Sequence, residues 1–185
     1  MIKRLRPKHS QEFLSELYAE PHDHWRYGRG HGLRVSITQI IAKDIAREVQ
    51  AETVADLSCG NGEIAKCLGI KKFLGDYAPG YEYTGPIEET LEQIPNVSLF
   101  ICSETLEHLD DPWSVLHVIR KKSDGLVLTT PINAWEDTNK EHYWAWDKES
   151  IENMLTTTGW SSNVYAELDS TVFGETYTYG IWGCK

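Results

Sequence analysis

A short apolar run, TVADLSC over residues 53–59, passes directly into GNGEIAKCLG, a glycine-bearing turn that opens a helical pattern. Brief continuous apolar runs mark buried strands, whereas apolar residues recurring every three or four positions mark a helix. The change of period at Gly60 and Gly62 therefore demands a strand, a tight turn and a helix in immediate succession. The alternation recurs downstream. KKFLGDYA and YEYTG read as a second and third strand, VSLFICS (97–103) as a fourth and GLVLTTP (125–131) as a fifth. Helices fall between them. Pro86 with Glu88 and Glu89 suits a first helical turn, because Pro fixes φ and carboxylates favour the positive helix end. Asp111 can cap a helix with Pro112 in its first turn, and Arg120, Lys121 and Lys122 sit at the negative end. DKESIENMLTTTG (147–159) is a further helix stopped by Gly159, and WSSNVYAELD with TYTYGIWGCK reads as a closing pair of strands. The predicted class is α/β: a mostly parallel sheet with helices on both faces and an antiparallel C-terminal strand.

Residues 1–50 precede this alternation as a helical extension, and residues 51–185 form the core of what is one domain overall. SQEFLSELYAE (10–20) opens with a Ser cap. PHDHWRYGRGHG (21–32) breaks the pattern, and its His24, Trp25, Tyr27 and His31 either furnish a lid or lie in a plain helix–helix connection. From Leu33 to Val49, residues Leu33, Ile37, Ile40, Ile41, Ile45 and Val49 predict the apolar face of an amphipathic helix. Only about six residues separate Asp76 from YEYTG, where a parallel crossover needs about a dozen. The helix between the second and third strands should be missing and that sheet edge irregular.

The formal net charge of −10 is unevenly spread, with nine Lys/Arg against six Asp/Glu in residues 1–50 and the excess acid beyond. An acidic body disfavours broad nucleic-acid binding. The basic N-terminal part is either a solvated tail or an attractor of an anionic substrate. Cys59, Cys67, Cys102 and Cys184 form no CxxC pair, so free, small apolar residues are expected rather than a disulfide framework or thiolate zinc site. No apolar run spans a bilayer and MIKRLRPKHS lacks a secretory apolar stretch, which predicts a cytoplasmic location.

In an open parallel sheet a ligand binds beyond the carboxyl ends of the strands. Here that place is Asp56-Leu57-Ser58-Cys59-Gly60-Asn61-Gly62. Ile64 and Ala65 follow where a dinucleotide fold needs its third Gly, and Glu63 follows Gly62 where a P-loop needs Lys. VADLSCGNGEIAKCL instead resembles the first motif of class I S-adenosylmethionine (SAM)-dependent methyltransferases, whose fold is Rossmann-like. FLGDYA, SETLEHLDDP and HYWAWDKESIENMLTTTGW resemble later segments of that family in the same order, so the resemblance covers roughly residues 51–185. It implies that the Gly60/Gly62 loop passes under the methionine part of SAM. Asp56 would order the loop and help hold the amino group, and Asp76 would accept the ribose hydroxyls. Ser58, in the place of the family's first Gly, and Ser103 join the cofactor set. Pro86 stands where many relatives keep an acid near the adenine, leaving Glu88 as the substitute. The missing helix after Asp76 would leave the adenine side open.

Methyl transfer from a sulfonium is an in-line displacement, so the protein must position the acceptor and remove its proton. Candidates near the strand ends are Glu104, His108, His142 and Tyr143. Glu104, Glu107 and His108 spell E-x-x-E-H after the fourth strand, similar to small-RNA 2′-O-methyltransferases and ubiquinone-pathway O-methyltransferases. That resemblance implies a Mg²⁺ or Mn²⁺ held by Glu104, Glu107, His108 and a downstream His, here His142. Such a hard cation lowers the pKa of a bound hydroxyl. The alternative is that Glu107 and His108 only cap and pack. The expected function is methyl transfer to a hydroxyl of a small-molecule or nucleoside-like acceptor. A non-catalytic SAM-binding partner subunit and an RNA or DNA methyltransferase are the alternatives.

Overall fold

The computed structural model describes residues 1–18 and 28–185. Its centre is a seven-stranded sheet built from β2 (Thr53–Asp56), β3 (Lys71–Asp76), β4 (Tyr83–Thr84), β5 (Val97–Ser103), β6 (Ser123–Ile132), β8 (Ser162–Asp169) and β9 (Thr178–Cys184). The spatial order is β4-β3-β2-β5-β6-β9-β8. Pairing is parallel from β4 through β6, and β9 runs antiparallel to both of its neighbours. Strand direction and order therefore follow the expected class.

Both faces are covered because successive strand residues point to opposite sides. In β5, Phe100 and Cys102 pack with Leu91 of α4 (Ile87–Gln93), Leu116 and Ile119 of α5 (Pro112–Lys122) and Met154 of α6 (Lys148–Thr157). Leu99 and Ile101 face the other way, onto Ile41 and Ile45 of α2 (Gly28–Glu48) and Ile64 of α3 (Glu63–Lys66). Each such fully buried aliphatic side chain contributes about 1.5–3 kcal/mol. The expected caps form: Asp111 accepts from Ser114 N at 3.1 Å and Asp147 from Ser150 N at 2.9 Å.

Three expectations are corrected. The helix α2 begins at Gly28, so His31 lies on a helix and not in a connection; Glu175 Oε1 accepts from Gly30 N at 2.7 Å at that start. Its buried face is Arg34, Thr38, Ile41, Ala42 and Ile45, while Leu33 is 42% and Ile40 61% exposed. The two stripes lie side by side on the helix, and the inner one carries a polar residue because its upper end meets a cavity rather than the apolar core. Third, the N-terminal residues are not a tail. Strand β1 (Ile2–Arg4) pairs antiparallel with β7 (Trp144–Trp146) in a second small sheet, followed by α1 (Gln11–Leu17) capped by Ser10. Arg4 bonds Asp110, and Arg6 Nη2 donates to the Asp137 carbonyl at 2.6 Å. His24, Trp25 and Tyr27 lie outside the described residues.

At the other edge β4 is two residues long, and no helix separates it from β3. The link is short because Tyr83 and Thr84 pair with Gly75 and Asp76, the last residues of β3, so the chain never recrosses the sheet.

Candidate active site

Beyond the carboxyl ends of the parallel strands lies a cavity of about 1110 Å³. One wall is the glycine loop. Asp56 ends β2 only 2% exposed, and its Oδ1 has no hydrogen-bond partner among the described residues. Burial, then the charge of Asp76, pushes the Asp56 carboxyl up to about 8. Gly60 (φ 53°) and Gly62 (φ 74°) turn the chain through left-handed backbone that favours glycine. The loop is pinned to β3: Cys59 N donates to Gly75 O at 3.0 Å, and Gly60 N to Asp76 Oδ2 at 2.8 Å. Asp76 Oδ1 accepts from Ala78 N at 3.0 Å. Each carboxylate oxygen can still accept a further bond. Ser58 has no positive φ, which explains why a side chain is tolerated in the first glycine position; its Oγ lies 2.5 Å from Thr105 Oγ1. Glu88, in the first turn of α4, lines the same side, and the Tyr81 hydroxyl donates to the Gly60 carbonyl.

The opposite wall is assembled from four segments. Where β5 ends, Glu104 adopts φ 54°, a sparsely populated conformation for a non-glycine residue. Its Oε1 accepts from Thr129 Oγ1 of β6 at 2.8 Å and lies 3.8 Å from Arg34 Nη1. Arg34, 6% exposed, also donates from Nη1 to Ser103 Oγ at 2.9 Å. Its Nε has no partner among the described residues. A 3-10 turn, Leu106–His108, follows. Glu107 is 1% exposed, with Oε2 accepting from Thr130 Oγ1 at 2.9 Å. Its Oε1 has no hydrogen-bond partner among the described residues and stands 4.0 Å from His108 Nε2. Burial, then the charge of Glu104, pushes the Glu107 carboxyl up to about 8.

His142 comes from the segment between β6 and β7. Its Nδ1–H donates to Asp137 Oδ2 at 2.6 Å, and its Nε2 accepts from Asn139 Nδ2 at 3.1 Å. The amide is oriented by Glu141 N, which donates to Asn139 Oδ1 at 3.0 Å. Burial pushes the imidazole pKa down, but the Asp137 hydrogen bond and the charges of Glu107, Asp137 and Glu104 outweigh it, for a net rise. The His108 and His142 rings meet edge-on with centroids 4.8 Å apart. One ligating atom each of Glu107, His108 and His142 falls within 4.8 Å of the others. Glu104 is not in that group and turns towards Thr129 and Arg34 instead. Tyr143 lines the cavity but accepts at its hydroxyl from His9 N at 3.2 Å. The N-terminal arm reaches the same wall through Tyr18, whose hydroxyl donates to Glu141 Oε2 at 2.9 Å; that oxygen is 4.0 Å from His108 Nδ1.

Sequence reading missed Arg34, Tyr18, Asp137 and Glu141. Arg34 had one available signal, a charge on the buried stripe of α2. Asp137 and Glu141 share a turn with His142, so their short spacing from that histidine was an available signal, whereas Tyr18 reaches the wall from the distant N-terminal arm and carries no local mark.

No protein-family model matches the sequence, and no curated protein matches it. Solved structures do share its fold. A Burkholderia thailandensis 1,6-didemethyltoxoflavin-N1-methyltransferase with bound S-adenosylhomocysteine aligns at TM-score 0.68 and 10% identity, over 99% of this chain and 93% of that one. The N-methyltransferase NodS of Bradyrhizobium japonicum WM9, in complex with S-adenosylhomocysteine, aligns at 0.67 and 13% identity, over 94% and 96%. Magnesium protoporphyrin IX methyltransferase of Synechocystis PCC 6803 aligns at 0.66 and 15% identity, over 95% and 99%. The fold is the Rossmann-like fold seen in class I SAM-dependent methyltransferases.

Proposed function

We propose that the protein is a SAM-dependent methyltransferase acting on a hydroxyl of a small-molecule or nucleoside-like acceptor. The observation that carries this is a single cavity with the Asp76-tied glycine loop on one wall and the paired histidines on the other. The residues fit the cofactor: among the described residues, Asp56 has a buried carboxylate oxygen and Arg34 a buried guanidinium N–H without hydrogen-bond partners. When bound, SAM supplies an electrophilic methyl on a sulfonium. Asp76 has lone pairs left for ribose hydroxyls, Asp56 suits an ammonium and Arg34 a carboxylate. Glu88 stands on the side assigned to the adenine. His108, flanked by Glu107 and Glu141, is the proposed acceptor of the nucleophile's proton.

The lining supports a small acceptor over a nucleic acid. Among the described residues ten carboxylates line the cavity, from Asp56 to Glu175, against Lys8, Arg29 and Arg34. A phosphodiester backbone needs the reverse balance. The histidine pair, His142 buried and His108 half-buried, likewise favours catalysis over a purely supporting, cofactor-holding subunit, which has no use for a base beside the cofactor. Among the described residues no helix is long and apolar enough to cross a membrane.

A second reading is favoured by one specific observation, the convergence of Glu107, His108 and His142. A carboxylate and two imidazoles make a mixed oxygen–nitrogen set that suits Mn²⁺ better than the all-oxygen-preferring Mg²⁺, and Glu107 Oε1 is a buried oxygen with no hydrogen-bond partner among the described residues. Such a cation would lower the pKa of a hydroxyl beside it. Glu104 would then tune the site through its charge and not as a ligand.

Isotope-labelled SAM incubated with panels of hydroxylated small molecules, nucleosides and RNA, with and without chelator, tests both readings. Label is expected in a small hydroxylated product. Label only in RNA, or none while S-adenosylhomocysteine binds, would replace the first reading; full transfer in excess chelator would remove the second.

A further inference from the structure

His142 is the member of the cluster that most needs explaining, because both of its ring nitrogens already have partners in the protein. We propose that Asp137 is the positioning residue that makes His142 a cation ligand, fixing its tautomer and holding Nε2 towards Glu107 and His108. This rests on the divalent-cation reading above.

Three features carry it. The Asp137 side chain is only 2% exposed, and its Oδ2 accepts a hydrogen bond from His142 Nδ1–H at 2.6 Å. That bond leaves Nε2 as the nitrogen with the lone pair. Asp137 is itself immobilised: Oδ1 accepts from Tyr177 OH at 3.0 Å and from Asn139 N at 2.8 Å. The donors come from the segment before β9 and from the turn that carries His142, so the carboxylate is locked from both sides. A carboxylate behind an imidazole raises its basicity and fixes its ring plane, and removing such a partner typically costs 10–100-fold in metal affinity.

Asn139 plays the opposite part. Its amide donates to the same Nε2 lone pair at 3.1 Å, the lone pair a cation requires. A cation must displace that bond. Asp137 and Asn139, two residues apart, therefore act on one ring with opposite signs: one prepares the ligand and the other competes for it.

Mn²⁺ titration followed by electron paramagnetic resonance, on the full-length protein with S-adenosylhomocysteine present, tests this without any acceptor. Asp137→Asn keeps the shape and an accepting oxygen but removes the charge, and should weaken Mn²⁺ binding by about 10–100-fold. Asn139→Ala should bind Mn²⁺ as tightly as the unaltered protein or more tightly. Should Asp137→Asn not fold, Tyr177→Phe, which loosens the carboxylate alone, should weaken binding by about threefold. Thermal melts of each variant separate folding from ligation. Unaltered affinity in Asp137→Asn alongside abolished binding in His142→Ala would overturn the proposal while leaving the cation reading intact. No Mn²⁺ binding by the unaltered protein would remove both.

Discussion

The two walls of the cavity are built in different ways. The cofactor wall is local: Asp56 through Gly62 and Asp76 through Ala78 make it, largely with backbone N–H groups and two glycines in left-handed conformation. The acceptor wall gathers side chains from the arm, the end of β5 and the segment between β6 and β7, while Arg34 of α2 stands between the two walls, bonded to Ser103 and beside Glu104, with its proposed role on the cofactor side. Backbone recognition tolerates neighbouring substitutions and keeps one ligand. Side-chain recognition lets each residue be exchanged, so on the proposed reading the acceptor wall is where specificity would reside.

If that division is right, the largest effect should come from the acceptor wall and leave the cofactor untouched. His108→Ala is expected to lower turnover about 10²–10⁴-fold, the range for losing a positioned proton acceptor. The dissociation constant of S-adenosylhomocysteine, measured by calorimetry, should stay within about twofold. A parallel loss of both would break the comparison.

The second prediction concerns the cofactor wall and pH. The folded pKa of Asp56, about 8, lies above the ordinary 3.8. Its favourable contribution is therefore complete below about pH 4, declines as pH rises, and is lost above about pH 8. Asn does not titrate and is still able to accept the Ser58 N–H. Asp56→Asn should match the unaltered protein in denaturant melts at pH 4 and exceed it at pH 9, by on the order of 2–5 kcal/mol. The same variant should bind the cofactor less well, because it lacks the charge for an ammonium. An equal difference at both pH values would contradict the burial argument.

Smallest is the arm. Tyr18→Phe removes one hydrogen bond to Glu141, worth about 0.5–1.5 kcal/mol, and should raise the acceptor KM a few-fold with kcat and melting temperature little changed. A fall in kcat instead would put Tyr18 in the proton path.

The contrast also explains what was legible in the sequence. Strands, caps and the glycine loop are written in local pattern, so TVADLSC-GNG and Asp111-Pro112 read correctly without tertiary context. The missing helix after Asp76 was a matter of chain length. Helix α2 misled at Leu33 and Ile40 because hydrophobicity marks a stripe only where the partner is apolar, and the inner stripe ends at Arg34 in the cavity. The Tyr18–Glu141 contact joins residues more than a hundred positions apart, across the side of the molecule where β1 pairs with β7, and no local pattern encodes it; His142, by contrast, finds Asp137 and Asn139 within its own turn. Glu104 fell within the expected E-x-x-E-H segment, yet its carboxylate at the end of β5 is bonded to Thr129 and stands beside Arg34, outside the group that Glu107, His108 and His142 form.

Calorimetry of S-adenosylhomocysteine against three proteins separates the two walls. The unaltered chain should bind one molecule. Asp76→Ala, which loses charge-assisted bonds to the ribose and the tie to Gly60, should bind more weakly by about 2–4 kcal/mol. His142→Ala, on the other wall, should bind within about twofold of the unaltered protein. No binding to the unaltered chain, or an equal loss in Asp76→Ala and His142→Ala, would show that the glycine loop is not a SAM wall separate from the acceptor site.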